Sequence, residues 1–225
     1  MPFRQANTWS ERGLQIQEIK DKCNSIIDNL NLDEGDVRIQ GMIHVRQLCN
    51  TLAAIPIKLQ QNAENPNSIP AVLSLLGLSN SDDLSSVLQD FNANAKAGFI
   101  TTVQFALENC IVCIIEAIPR VDPQNGFGQN ARVIIELGEI PQAEQKLDLM
   151  MLPAWIRNTL HANGIHNRSN RTIEVDGESY IFERGQRISC GTWSHLFHAI
   201  FHSLAVVEEI FMSDKIRAIE RIQSI

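Results

Sequence analysis

Residues 95–118, AKAGFITTVQFALENCIVCIIEAI, are the longest apolar stretch with helical spacing, and their reading sets the fold class. At 100° per residue, Phe99, Val103, Leu107, Cys110, Ile114, Ala117 and Ile118 fall on one side, while Phe105, Val112 and Ile115 take much of the other. A helix apolar on both sides must be enclosed by its neighbours, so the stretch predicts the central helix of a bundle. Glu108, Asn109 and Glu116 interrupt it. A carboxylate in that setting needs a partner. Glu108 is therefore either hydrogen-bonded structurally or reaches toward a cation brought close by the fold.

Working outward, apolar residues at Leu14, Ile16, Ile19, Cys23, Ile26, Ile27 and Leu30 predict a helix over residues 14–30, stopped by residues 31–35. A second helix is expected from Val37 to about Gln61, kinked or divided at Pro56. Residues 62–70, with two prolines and three asparagines, read as a loop, and residues 79–83 offer an N-cap for a short helix reaching Phe91. Beyond a turn at residues 119–128, helix is expected over 131–137 and again over 142–151. Pro153 is read as starting or kinking the turn that carries Trp155, Arg157 and His161, with Gly164 as its end.

The exception to helix is TIEVDGESYIF, residues 172–182. Asp176-Gly177 between alternating β-branched and aromatic residues predicts a hairpin, because glycine supplies the positive φ of a tight primed turn. Gly185 and Gly191 bracket a further extended stretch. The last long helix begins near Thr192, with Trp193, Phe197, Ile200, Leu204, Val207 and Phe211 toward the core and His195, His198, His202 and Glu209 on the other side. The reading is an all-α helical bundle with a small β-hairpin inserted before the last long helix. Residues 1–92 form a helical segment resembling no recognised family, packed on the rest or standing apart, and residues 93–225 form the bundle.

The formal charge of -7 is uneven: residues 1–150 hold 11 basic against 18 acidic side chains, and residues 151–225 hold 8 against 8. A broad basic face for nucleic acid is disfavoured, while a small anion site in the last third, which holds five of the six histidines, stays open. No secretory leader pattern is visible, and the most apolar run, residues 111–118, is too short to span a bilayer, so no membrane partner is expected. Five scattered cysteines fit a reduced, cytoplasmic setting. Cys110-x-x-Cys113 lies in an apolar helix without a second pair, which favours packing over metal or redox use. His195, His198 and His202 have three readings: a solvated or interface face, part of an anion pocket, or a metal site. The usual zinc patterns differ from theirs, so no metal and no cofactor is assigned. Phosphate-binding glycine loops and nucleophile elbows are absent from the sequence.

The chemistry-bearing motif is RNTLHANGIH, residues 157–166. Arg157 and His161, four apart, project from one side of a helix and pair a fixed cation with a group that titrates near neutrality. RNA cleavage through its own 2′-hydroxyl needs proton removal, proton delivery to the leaving oxygen and stabilisation of a charged phosphorane. Histidine and arginine supply these without a metal. Asn158 and His166 are candidate phosphate- or substrate-binding partners, with Glu108 a further one. The same residues would also serve to tie down the turn and hairpin that follow.

With this motif on a late helix of an all-helical chain, residues 95–211 resemble the HEPN superfamily, and residues 157–166 resemble a branch reading roughly RN-small-x-H-x-N-G. The resemblance implies a homodimeric helical bundle acting on RNA or nucleotides, of a toxin or defence type, with Arg157 and His161 as the catalytic pair of a metal-independent endoribonuclease. Asn158 matches the polar residue that often follows the arginine. The superfamily's catalytic pattern places four to six residues between arginine and histidine, and this chain places three. Binding of RNA, nucleotide or a partner without cleavage, in a non-catalytic interaction or structural module, is the alternative that this spacing leaves.

Overall fold

A computed structural model describes residues 1–223, with the side chains of residues 55–64 and 81 outside the description. Its elements are α1 (Trp9–Leu30), α2 (Val37–Glu64), α3 (Ile69–Leu76), α4 (Ser81–Glu116), α5 (Phe127–Leu137), α6 (Ala143–His161), β1 (Arg171–Val175), β2 (Glu178–Phe182), α7 (Trp193–Met212) and α8 (Asp214–Arg217). The fold is an all-α bundle with one antiparallel hairpin before its last long helix. A continuous apolar core draws on α1, α2 and α4 to α8 as well as both strands.

Local chemistry explains where the helices start. α1 begins five residues before its apolar stripe because Thr8 and Glu11 form a reciprocal capping box, and Asn31 closes it in the left-handed region at φ 48°. Asp36 caps α2 through the Arg38 amide. The kink expected at Pro56 falls on residues outside the described side chains. Residues 62–70 are not all loop: α2 is assigned to Glu64 and α3 starts at Ile69.

α4 corrects the expectation of a short helix ending at Phe91. Its 36 residues run without a break, capped by the Asn80 side chain on the Asp82 and Asp83 amides, with both acids at the favourable end of the helix dipole. Alanines 93, 95 and 97 carry the helix where no apolar stripe guides the eye. The Trp193 indole anchors that region by donating to Asn92 Oδ1 at 2.6 Å. Continuity also corrects the membrane reading: by length and composition α4 could cross a bilayer, its most apolar 18 residues having a mean hydropathy of 1.7, yet 61% of that stretch is buried, as in a core helix. Its far side is only partly enclosed, since Ile115 is buried but Phe105 is exposed.

α6 corrects the expectation at Pro153, which lies inside the helix and is buried. Proline lacks the N–H that an interior position donates, so the helix loses one rung there and continues. The chain then turns through Asn163 (φ 55°) and Gly164 (φ 79°), with the Gly164 amide bonded back to the Thr159 carbonyl at 2.9 Å. The hairpin turn falls on Asp176 and Gly177, both at positive φ, and pairs Val175 with Glu178 and Ile173 with Tyr180. Ile173, Val175, Tyr180 and Phe182 point inward.

Candidate functional site

Arg157 and His161 lie on the last turns of α6, beside α4. The Arg157 guanidinium is half-buried and donates from Nε and Nη2 to Asn158 Oδ1 at 3.2 and 2.8 Å. Burial presses its pKa below the ordinary arginine value; the Glu108 carboxylate opposes that shift and the Arg168 charge adds to it. Arginine's basicity leaves the group charged all the same. Glu108 is hydrogen-bonded to no protein group among the described residues, so its action on Arg157 is through space. His161 is exposed, with Nε2 3.1 Å from the Thr101 hydroxyl. Arg157 answers Glu108 and His161 answers Thr101, which is the order of two antiparallel helices. The seam between α4 and α6 thus brings a cation, an imidazole, an amide and a carboxylate near one another.

His166 does not join them. It is buried, with Nδ1 3.2 Å from the Thr159 hydroxyl and Nε2 3.0 Å from the Ser169 carbonyl oxygen. Its ring packs against Trp155 and Phe182. Both nitrogens are engaged in holding the turn that leads into the hairpin, so neither is offered to a ligand.

The histidines of α7 are not a solvated face. His198 is 0% exposed and His195 9%, and His202 is half-buried. The hairpin and the N-terminal segment cover them: Phe3 packs on the His195 and His198 rings, and the Ala6 amide donates to Ser194 Oγ at 2.8 Å. His195 is held between Thr192 Oγ1 at 2.7 Å and Glu178 Oε1 at 3.0 Å. His202 Nε2 faces Asp176 Oδ2 at 3.4 Å and the Met1 carbonyl oxygen at 3.3 Å. His198 Nδ1 lies 2.7 Å from the Tyr180 hydroxyl. Burial, aided by the His202 charge, drives the His198 pKa down to about 4, so its imidazole is neutral at ordinary pH. Sequence reasoning placed Asp176 and Tyr180 in the hairpin without linking them to α7. The i, i+4 spacing of His198 and His202 was the signal that could have raised the question.

The five cysteines are free and buried. Cys110 Sγ meets the Val37 carbonyl oxygen at 3.3 Å, and burial pushes its thiol up to about 12, as expected for packing. With fold and geometry in view, no protein-family model, no curated protein and no solved structure matches this chain.

Proposed function

We propose that the α4–α6 seam receives the phosphate backbone of RNA and that the chain is a HEPN-like, metal-independent endoribonuclease, acting as a homodimer in a toxin or defence type of system. One observation carries this reading. Among the described residues the Arg157 guanidinium bonds only to the neutral Asn158 amide oxygen, with no carboxylate or main-chain oxygen holding it. Its remaining N–H groups are available to phosphate oxygens beside an exposed imidazole. In this mechanism His161 takes the proton from the 2′-hydroxyl or returns one to the departing 5′-oxygen, and Arg157 stabilises the extra charge on the phosphorane. The products are a 2′,3′-cyclic phosphate and a free 5′-hydroxyl. Asn158 fixes the guanidinium plane, and Glu108 sets the local field.

The test is incubation of the purified chain with mixed single-stranded RNAs in chelator, followed by analysis of product ends. Cleavage to cyclic phosphates, reduced at least about 100-fold in Arg157→Ala and His161→Ala, supports the assignment. RNA left intact, bound or not, overturns it.

A second reading rests on the three-residue spacing and on the His161–Thr101 contact, which together suit a non-catalytic interaction module whose seam is held by these groups. Both variants would then shift the unfolding midpoint or self-association and leave any cleavage rate unchanged.

A further inference from the structure

A second cluster, on other elements, has the chemistry of a metal site. One ligand atom each from Asp176, His198 and His202 lies within 4.8 Å of the other two. His198 and His202 are one helical turn apart on α7, and Asp176 arrives from the hairpin tip. Ligand atoms around a tetrahedral ion at about 2.0–2.1 Å stand roughly 3.3 Å apart. The 3.4 Å between His202 Nε2 and Asp176 Oδ2 already meets that spacing.

The independent observation is His198 Nε2. The side chain is fully buried, and Nε2 has no hydrogen-bond partner although Nδ1 does. An orphaned polar atom in a packed interior calls for a ligand. Hydrogen bonding also fixes which form of the ring it belongs to. The Tyr180 hydroxyl has one proton and faces both the His195 carbonyl oxygen at 3.3 Å and His198 Nδ1 at 2.7 Å. Both contacts are made together only when tyrosine donates to the carbonyl and Nδ1–H donates to the tyrosine oxygen. Nε2 then carries a bare lone pair, the nitrogen left free for an ion in the cluster. A ligating histidine whose other nitrogen donates to a fixed acceptor is the usual outer-shell arrangement of metal sites.

We propose that Asp176, His198 and His202 bind one divalent transition-metal ion of the zinc class, which clamps the hairpin tip to α7. Two imidazoles and one carboxylate suit zinc or cobalt and are poor for magnesium or calcium, which take oxygen donors. Binding requires His202 Nε2 to release its proton and its contact with the Met1 carbonyl, and water takes the fourth position. His195 is outside the set, because Glu178 and Thr192 already hold its nitrogens. The ion is structural and takes no part in the chemistry proposed for the α4–α6 seam.

The test uses the full chain without an affinity tag, stripped with chelator and titrated with Zn2+ by calorimetry and with Co2+ by visible absorption. Expected are one ion per chain, four-coordinate Co2+ bands without a thiolate transition, and a rise in melting temperature with Zn2+. Tyr180→Phe weakens binding about 10- to 100-fold. Asp176→Asn and His202→Gln weaken it at least as much, and His195→Gln leaves it unchanged. Asp176 is exposed and His202 keeps an edge to solvent at 13%, so these two variants keep the test valid even if a change at fully buried His198 impairs folding. Absence of saturable Zn2+ binding, or binding undiminished in the Asp176→Asn/His202→Gln double variant, overturns the proposal. RNA cleavage in chelator is scored separately, so failure of one assignment is distinguishable from failure of the other.

Discussion

Asp36 shows how one residue is made to serve two ends of the chain. Its carboxylate caps α2 and accepts from Arg38 Nε and Nη2 at 2.8 and 2.7 Å and from the Ile222 amide at 3.1 Å, with both side chains essentially out of water. Burial alone would raise its pKa, but the bonds from the Arg38 side chain, the Ile222 amide and the Arg38 amide, with the Arg38 charge, together hold it below 3.8. A carboxyl depressed in the folded state adds stability above its unfolded pKa and loses it as pH falls through the folded value. Denaturant titrations taken downward from about pH 5 are therefore expected to lose stability below 3.8, and Asp36→Asn to lack that share of the loss. Identical acid profiles for the two proteins would contradict this. Nothing in the sequence marked the pair, since an acid before a helix and an arginine in its first turn are ordinary there. Their burial follows from residues about 180 positions away.

At the scale of the elements, α2 packs close against α4 at Gly41. A Cβ there would sit 2.0 Å from Cys110 Sγ, a distance no side chain tolerates. Gly41→Ala gains helix propensity of roughly 1 kcal/mol but forces the helices apart, and overpacking of this kind costs about 1–3 kcal/mol. A net loss in urea stability is expected, partly restored by adding Cys110→Ala; a more stable Gly41→Ala would show that the contact is not close. The apolar period of residues 95–118 and the Asp176-Gly177 turn were legible because each is a local pattern. The same logic missed α3, and it missed the join at residues 92–94 that makes the expected short helix and the apolar stretch one helix, α4, because alanine content rather than an apolar stripe carries it there. It found Arg157, Asn158 and His161 on one helix, which spacing alone decides. It put the α7 histidines on the side away from the core and left their surroundings open, because the Phe3 and Tyr180 that cover them come from elsewhere in the chain.

On the scale of the whole molecule, the last residues complete the first helices. Arg38 donates to the carbonyl oxygens of Ile216 and Ile219 at 2.9 Å, the Val37 amide donates to Ile222 at 2.9 Å, and Ile216 and Ile222 are buried in the common core. Ending the chain at Ser213 removes two acceptors from a buried cation and two isoleucines from the core, together on the order of 5 kcal/mol. That is comparable to the total stability of many domains. The shortened protein is expected to unfold at much lower urea concentration than the full chain; an unchanged midpoint would mean that the clasp contributes little. The clasp also orders events in time. During synthesis α2 leaves the ribosome about 180 residues ahead of the carbonyls that Arg38 meets, so the guanidinium waits beside its half-made cap until the intervening helices have been made.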